Sequence, residues 1–302
     1  YLDQVPAYAL KSFFDVDAPQ ARYSDWYPTS HKIFDETWRQ RSRIALLNID
    51  GTIDAGMEQS VAEALRRMPG SAEALVIRIS SPGGSAIASD KIWGAIMELK
   101  KRGIPVVASI GDMGASGAYY IACAADAIFA EPYSIVGSIG IYGGKIDASG
   151  LMSKVGLKAE TVKTHEHADA ETFTRPWTDA EKAALQQYMD EFYERFVKVV
   201  SGATGIARAK VDSSYGGGRV FIGEKAYKYG LVQGLGGLDA ALKEARKRAN
   251  IGEGNDIELI PILTGGSNII RDPSANALID FVLGAERVQF WALDPLLWEG
   301  AE

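Results

Sequence analysis

Short apolar runs that end in turn residues recur through the first half of this 302-residue chain, and they alternate with segments of helical spacing. The runs are continuous rather than interrupted by polar residues, which is typical of strands that are covered on both faces. They lie at residues 43–49, 74–79, 105–110, 127–130 and 136–141, and the helical segments lie at 60–68, 87–102 and 119–125. This order of strand, turn, helix and strand predicts right-handed βαβ crossovers, and hence an α/β fold with a parallel sheet.

The rest of the chain is predicted to surround this α/β region. Residues 1–42 are rich in aromatic and charged side chains without a clear period, and we interpret them as an arm or an inter-domain linker. Residues 43–250 form the predicted domain. Its further helices are expected at 179–201, 206–212 and 238–249. Residues 251–302 are predicted to be a C-terminal extension whose large apolar side chains, such as Trp291 and Trp298, either pack on the domain or dock on a partner.

Charge and the scarcity of cysteine and histidine exclude several functions. The formal net charge is −7 and the basic residues form no block, so binding to nucleic acid is not expected. A single cysteine excludes disulfides within the chain and thiolate metal sites, and with only three histidines no metal or cofactor site is predicted. No run approaches the roughly 18 apolar residues that span a bilayer, so no membrane anchor is predicted in this chain. The first residue is Tyr rather than Met, and we therefore expect a fragment or a processed product.

Two glycine-rich turns follow consecutive predicted strands, at residues 81–84 and 114–117. In a parallel sheet the loops at the carboxyl ends of the strands meet at one edge, where ligands bind. Glycine lets backbone N–H groups come close to a substrate because it has no Cβ. Two such N–H groups directed at one point would form an oxyanion hole.

Ser116 lies in the second of these turns, immediately before an apolar helix. At this position its hydroxyl would be presented at the edge of the sheet, where it could act as a nucleophile. The alternative is structural, because serine is also a preferred residue at the N-cap of a helix. Spacing alone leaves both interpretations open.

Three segments, 78–85 (RISSPGGS), 113–120 (MGASGAYY) and 137–141 (GSIGI), resemble motifs of the signal peptide peptidase A (protease IV) family. The members of that family are serine peptidases with the ClpP/crotonase fold. The resemblance covers residues 43–250 and implies repeated ββα units around a parallel sheet, with helical extensions. It also implies that Ser116 is the nucleophile, that the N–H groups of Gly83 and Gly117 form the oxyanion hole, and that Ser138 supports the site.

The general base of the family is a lysine, which accepts the proton of the serine when it is desolvated and neutral. Short members carry this lysine in a segment like K-S-G-x-x-K-D, which precedes F-R-P. The corresponding segment here is 163–169 (KTHEHAD), followed by 173–176 (FTRP), and the position of the base is occupied by Ala168. The resemblance therefore implies a nucleophile without its base.

Three interpretations of Ala168 remain open. In the first, the chain is the serine-bearing half of a long-form member, and a homologous half or a neighbouring subunit supplies the lysine. In the second, the lysine has been replaced, naturally or by design, which leaves an inactive subunit that serves assembly. In the third, His165 or His167 acts as the base, since Ser–His pairs are established chemistry; the competing interpretation of these histidines is a solvated polar loop.

The resemblance implies an endopeptidase that hydrolyses hydrophobic peptides, such as signal peptides, without a cofactor. It implies a homo-oligomeric ring or bowl, and a place at the bacterial cell envelope, on the extracytoplasmic side of the inner membrane. We expect the backbone of a peptide to pair with strand edges beside the site. The alternative from another class is a crotonase-type acyl-CoA enzyme, which would apply the same pair of amides to a thioester.

Overall fold

The computed structural model describes residues 41–253 and 255–262, together with the backbone of a strand at 289–292, and the statements below concern those residues. In chain order the strands are β1 (Ser42–Asp50), β2 (Ala74–Ser81), β3 (Gly84–Ser85), β4 (Val106–Ala115), β5 (Ala127–Ala130), β6 (Ile135–Gly137), β7 (Tyr142–Gly144), β8 (Val220–Ile222), β9 (Gly234–Leu235), β10 (Ile257–Ile262) and β11 (Gln289–Ala292). The helices are α1 (Ala55–Arg66), α2 (Ala86–Lys101), α3 (Gly117–Ala122), α4 (Ser149–Lys154), α5 (Asp179–Thr204), α6 (Arg208–Lys210), α7 (Gly223–Tyr229) and α8 (Leu238–Arg248), and a π-helical turn follows α6 at Val211–Tyr215.

The main sheet is mostly parallel, and its strands lie in the order β10-β1-β2-β4-β5-β9. β4 changes its neighbour along its length, because residues 107–110 pair with β5 and residues 113–115 pair with β6. β6 in turn pairs with β8 in antiparallel orientation. The sheet and its alternating helices confirm the predicted α/β fold, and the carboxyl ends of β2 and β4 lie at the same edge of the sheet.

The apolar strands bury both faces of the sheet. On one face α1, α2 and α3 cover the larger part of the core. On the other face Ala241 and Ala245 of α8 pack against Ile44, Val76 and Val107. Coverage of both faces is the reason why these strands are continuously apolar rather than alternating.

α1 and α2 begin where a side chain caps their free N–H groups. Asp54 accepts a hydrogen bond from the N–H of Met57 (2.7 Å) and starts α1, which therefore begins before the helix predicted from residue 60. Ser85 caps α2 by accepting from the N–H of Ala88 (3.3 Å). α2 and α8 match the predicted helices to within one residue at each end.

The long helix α5 is held against the core by aromatic and charged contacts. Phe192 and Phe196 pack on the ring of Tyr120 in α3, at centroid distances of 5.7 and 5.0 Å. Asp90 of α2 accepts hydrogen bonds from the Tyr120 hydroxyl (2.6 Å) and from Nε of Arg195 (2.8 Å). These contacts join α2, α3 and α5, so the helix that begins beside Ser116 is fixed from two sides.

Some predictions fall outside the described residues or extend past them. The arm at 1–42 is outside except for its last two residues, and so is the part of the C-terminal extension from residue 263 onward, apart from the β11 backbone. β10 pairs with β1, so the sheet continues beyond residue 250, where the sequence analysis ends the domain. Within the described part of the chain, no helix is long and apolar enough to cross a membrane.

Candidate active site

Ser116 lies at the junction between the last residue of β4 and the first residue of α3, with no exposed surface. Its backbone φ and ψ are 55° and −123°, a conformation that is uncommon for a residue with a side chain. Such strain persists only where the surroundings enforce it, and it is frequent at active sites. A serine on a sharp, strained turn from a strand into a helix is the arrangement that presents the nucleophile in α/β-hydrolases.

A second turn, at Gly137 and Ser138, supports the turn at Ser116. Ala115 pairs with Gly137, and the N–H of Ser116 donates to the carbonyl oxygen of Gly137 (2.8 Å). Ser138 is buried with φ at 51°, and its N–H donates to the carbonyl oxygen of Arg219 (2.7 Å). Ser138, which the sequence analysis names as a supporting residue, therefore lies beside the turn of Ser116.

The hydroxyl of Ser116 makes no hydrogen bond with the described residues although it is buried. It does not cap α3, so the structural alternative for this serine is not realised. Buried hydroxyl groups are nearly always paired, and an exception calls for an explanation. A nucleophile whose base is not part of the chain is one such explanation.

The backbone N–H and C=O groups of Gly83 and Gly84 point towards different neighbours. The carbonyl of Gly83 accepts from the N–H of Ile53 (2.9 Å), and the N–H of Ser85 donates to the carbonyl of Ile53 (2.7 Å). Because N–H and C=O groups alternate in direction along a strand, those of Gly84 face the opposite edge. The N–H of Gly83 itself donates to the Ser81 hydroxyl (3.1 Å). Of the two amides, that of Gly84 is thus the better placed to face a substrate.

Gly117 lies directly against this glycine turn. A Cβ built on Gly117 would be 3.4 Å from the backbone N of Gly84 and 2.3 Å from Oγ of Ser89. The amide of Gly117 belongs to the first turn of α3, where N–H groups have no acceptor within the helix. The backbone of Gly84 therefore lies close to Gly117, the residue after Ser116, whereas the sequence analysis names Gly83 as the first donor.

Ala168 is exposed in a loop that charged side chains hold in place. The guanidinium of Arg175 donates to Asp169 (2.7 and 3.0 Å) and to Glu181 at the start of α5 (2.8 Å to each oxygen). Lys163 also donates to Asp169 (2.8 Å). Hydrogen bonds from Arg175 hold the pKa of both carboxyl groups well below their usual range. The loop that carries Ala168 is thus ordered by ion pairs in the absence of a lysine at this position.

Lys145 is a lysine near the same loop that the sequence analysis does not single out. Its Nζ donates to the carbonyl oxygens of Ala170 (2.7 Å) and Thr172 (3.0 Å) and lies 5.3 Å from the centre of the Trp177 ring. Partial burial, with a contribution from Arg175, lowers its pKa. Two of its three donors are used to fix the loop, which indicates a positioning role. No local sequence signal distinguishes it from a solvated lysine.

A general base would contact the hydroxyl of Ser116, but the two histidines of this loop contact other groups. Nδ1 of His167 lies 3.2 Å from Glu181, and Nδ1 of His165 lies 3.1 Å from the hydroxyl of Thr164. Neither ring hydrogen-bonds to the hydroxyl of Ser116, which has no hydrogen-bond partner in the part of the chain that the structure describes. Among the residues that the structure describes, no three His, Cys, Asp or Glu side chains are grouped so that they could hold a metal ion.

An apolar surface lies next to the loop of Ala168. The N–H of Ala148, which precedes α4, donates to the carbonyl of Phe173 (2.8 Å), so α4 and the loop are directly joined. None of the residues of α4 is buried. The exposed large apolar side chains of this surface, which we call the α4 surface, are those of Ile146, Leu151, Val155, Leu157 and Val162. A shallow pocket lined by Met152, Leu157 and Thr174, among others, lies within it.

Comparison with known proteins identifies relatives by sequence. Residues 98–252 match the model of peptidase family S49. The chain is 33% identical to Protease 4 of Haemophilus influenzae over 224 residues, which are 71% of this chain and 36% of that protein. It is 31% identical to the chloroplastic serine protease SPPA of Arabidopsis thaliana over 277 residues, 82% of this chain and 40% of that protein.

A shorter relative is covered almost completely. A candidate protease of Synechocystis sp. is 33% identical over 246 residues, which are 78% of this chain and 88% of that protein. The chain thus spans little more than a third of the length of Protease 4 but most of the length of this shorter protein. The residues that match the family model include the turn at 114–117 and Ser116.

Proposed function

The chain belongs to peptidase family S49, the signal peptide peptidase A (protease IV) family, and from this premise we propose that it carries the nucleophile of a serine peptidase, Ser116. The observation on which the proposal rests is the buried Ser116 hydroxyl, which lies on a strained turn and has no hydrogen-bond partner among the described residues. An ordinary structural serine at this place would cap α3.

The proposed reaction is the attack of Oγ of Ser116 on the carbonyl carbon of a peptide bond. The N–H groups of Gly117 and Gly84 would donate to the oxygen that becomes negatively charged, and each such donor contributes a few kcal/mol to stabilising the transition state. Gly84 replaces Gly83 in this scheme because the N–H of Gly83 is turned to Ser81. Ser138 would support the turn from the neighbouring strand.

The proposed base is a lysine that this chain does not supply. Ala168 stands where the resemblance puts the lysine, and the nearby Lys145 is engaged with two carbonyl groups. A lysine from a homologous segment or a neighbouring subunit, desolvated on docking and therefore neutral, would accept the proton of Ser116. The proposed substrates are hydrophobic peptides, such as signal peptides left after secretion.

The α4 surface is the proposed place at which the lysine-bearing partner docks. It is apolar, exposed and hydrogen-bonded to the loop of Ala168, so a partner bound there would lie next to the loop that lacks the base. We also propose that assembly yields a homo-oligomeric ring or bowl at the bacterial cell envelope. The support for this is the kinship to bacterial Protease 4 sequences.

The test is reconstitution with a homologous segment that contains the lysine. We expect the chain alone to hydrolyse a quenched fluorescent apolar peptide slowly, and the mixture to hydrolyse it at least 100-fold faster, which is the lower range for a general base. Ser116→Ala should abolish the gain, whereas Ser213→Ala, at an exposed serine, should preserve it. Rapid hydrolysis by the chain alone that is lost on changing His167 would instead assign the base to that histidine.

A serine-directed fluorophosphonate separates a peptidase from an assembly subunit. If Ser116 is a nucleophile, the probe should label it in the reconstituted mixture, and Ser116→Ala should not be labelled. Failure to label Ser116 in a mixture that has assembled would show that the chain serves assembly only. Binding of coenzyme A thioesters with no dependence on the Ser116 hydroxyl would favour an acyl-CoA enzyme.

A further inference from the structure

The turn at Ser138 is held by a glycine-rich stretch at residues 216–219 (GGGR), which we call the 216–219 segment. The N–H of Ser138 donates to the carbonyl oxygen of Arg219 (2.7 Å). At the next residue of the turn, the carbonyl oxygen of Ile139 accepts from the N–H of Gly218 (3.0 Å). The segment therefore binds two successive residues of the turn and fixes the strained backbone of Ser138.

The residue before Ser138 packs closely on the same segment. A Cβ on Gly137 would lie 3.0 Å from the carbonyl oxygen of Arg219 and 3.2 Å from the ring of Phe221. Gly137 is also the residue whose carbonyl oxygen accepts from the N–H of Ser116. A shift of the 216–219 segment would therefore move the group that holds the backbone of the proposed nucleophile.

Tyr193, on α5, contacts the 216–219 segment through its hydroxyl group. The hydroxyl donates to Oδ1 of Asp212 (2.7 Å) and accepts from the N–H of Gly217 (3.2 Å). Gly216 packs against the same hydroxyl, because a Cβ there would overlap it. Partial burial and the hydrogen bond to Asp212 raise the pKa of Tyr193 to about 12, so the hydroxyl stays protonated at neutral pH.

Asp212 lies in the π-helical turn at Val211–Tyr215, and π-helical turns are rare and frequent at functional sites. Tyr215 at the end of this turn is buried and stacks on the ring of Tyr229 at a centroid distance of 5.4 Å. The turn is therefore anchored in the domain by contacts that do not involve Tyr193. This anchorage gives Asp212 a fixed place from which its carboxylate orients the hydroxyl.

We propose that Tyr193, oriented by Asp212, is a positioning residue for Ser116. The contacts run from its hydroxyl through the 216–219 segment and the turn of Ser138 to the N–H of Ser116. This inference rests on the proposed function, because it concerns the reactivity of that same serine. Displacement of a reacting group by about 1 Å costs roughly 100-fold in rate. Loss of the Tyr193 hydroxyl should therefore lower the reactivity of Ser116 while the fold is retained.

The first measurement is the second-order rate at which the fluorophosphonate labels Ser116 in the reconstituted mixture. We expect Tyr193→Phe to lower this rate at least tenfold, and Asp212→Ala to lower it as well. Asp212→Asn keeps an acceptor for the hydroxyl and should stay within threefold of the parent chain. The double variant Tyr193→Phe with Asp212→Ala should be no slower than Tyr193→Phe alone, because both changes remove the same contact.

Val200→Ala is the matched control, because a merely structural role would lower reactivity only through unfolding. Val200 is buried in the same helix, and its truncation removes apolar packing. We expect it to lower the melting temperature at least as much as Tyr193→Phe does, and to leave the labelling rate unchanged well below that temperature. Labelling of Tyr193→Phe at the parent rate would overturn the inference, and so would equal losses of labelling in the two variants.

The second measurement does not depend on chemistry at Ser116. Hydrogen–deuterium exchange, resolved by NMR in the complete chain, compares the amides of Ser116 and Ser138 with that of Ala108 inside β4. Tyr193→Phe should speed exchange of the first two at least fivefold relative to Ala108, whereas Val200→Ala should speed all three by a similar factor. Faster exchange in a chain whose Ser116 is never labelled would retain the coupling and reject the peptidase. Labelling of the parent chain with unchanged exchange in Tyr193→Phe would do the reverse.

Discussion

The N–H of Ser116 donates to the carbonyl oxygen of Gly137 at 2.8 Å, and this contact fixes two strained turns to each other. Ser116 has φ at 55°, and Ser138, which directly follows Gly137, has φ at 51°. The pairing of β4 with β6, rather than contacts of the serine side chain, therefore holds the backbone of Ser116 in its strained conformation. The backbone of Ser116 is thus part of the fold, whereas its hydroxyl is the group that would take part in chemistry.

Ser116→Gly is expected to be as stable as the parent chain or more stable, by about 1 kcal/mol. Glycine adopts positive φ without steric cost, and the lost hydroxyl makes no hydrogen bond. Denaturant unfolding measures the stability, and the serine-directed probe should no longer label the variant. A loss of several kcal/mol would show that the hydroxyl has a structural partner.

Gly117→Ala is expected to destabilise the chain by about 1–3 kcal/mol and to abolish activity in the reconstituted mixture. Its Cβ would lie 2.3 Å from Oγ of Ser89, a buried side chain. Ser89→Ala in the same chain should recover part of the stability, because it removes the closest atom. Thermal unfolding of the two single variants and the double variant measures this coupling.

Gly94→Ala is the matched control for Gly117→Ala. Gly94 lies inside α2, and a Cβ there would meet no atom within 4 Å. Alanine at this position should stabilise the chain by roughly 0.5–1 kcal/mol, because glycine is a poor helix former. If both glycine substitutions had the same effect, contact with Ser89 could not be the cause.

The sequence predicts the strands of this fold well where burial on both faces makes their residues apolar. The apolar runs in β1, β2 and β5 predict these strands to within two residues of their observed ends. β4 continues through Gly111 and Gly114, past residue 110, where the predicted strand ends. The reason is close packing, since a Cβ on Gly111 would be 2.3 Å from Oγ of Ser80 and one on Gly114 would be 2.9 Å from Ile110.

Features that depend on pairing between residues far apart in the chain cannot be predicted from local sequence patterns. β10 contains Pro261, which argues against a central strand, but proline is tolerated because β10 lies at the edge of the sheet. The choice between Gly83 and Gly84 depends on the bridge to Ile53 and cannot be read from two adjacent glycines. Ser116 can be named as a candidate from the sequence because its motif is local. The role of Lys145 depends on carbonyls more than twenty residues away.

Arg175→Gln is expected to lower the melting temperature at pH 7 and to have progressively less effect as the pH falls below about 4. Arg175 lowers the pKa of Asp169 and Glu181, so the stability that these carboxylates contribute is present above their unfolded pKa values, about 4. It is lost as they become protonated at lower pH. Thermal melts of both chains across this range measure the difference.

The control for this pH effect is Lys228→Gln. Lys228 forms an exposed ion pair with Glu224 one helical turn away, and exposed pairs of this type contribute little to stability. We expect no measurable change in the melting temperature at pH 7. A difference between Arg175→Gln and the parent chain that persists unchanged at pH 3 would show that Arg175 acts through packing rather than charge.

Leu151→Asp together with Val155→Asp is expected to leave the fold intact and to abolish activation by the lysine-bearing segment. The two side chains are 64% and 62% exposed, so charge there should cost the isolated chain little. At a docked interface the same carboxylates would be desolvated without a partner. Sedimentation velocity of the mixture measures assembly, and peptide hydrolysis measures activation. Tyr133→Asp, at an exposed aromatic outside the α4 surface, should change neither, and activation that survives the double change would place the partner elsewhere.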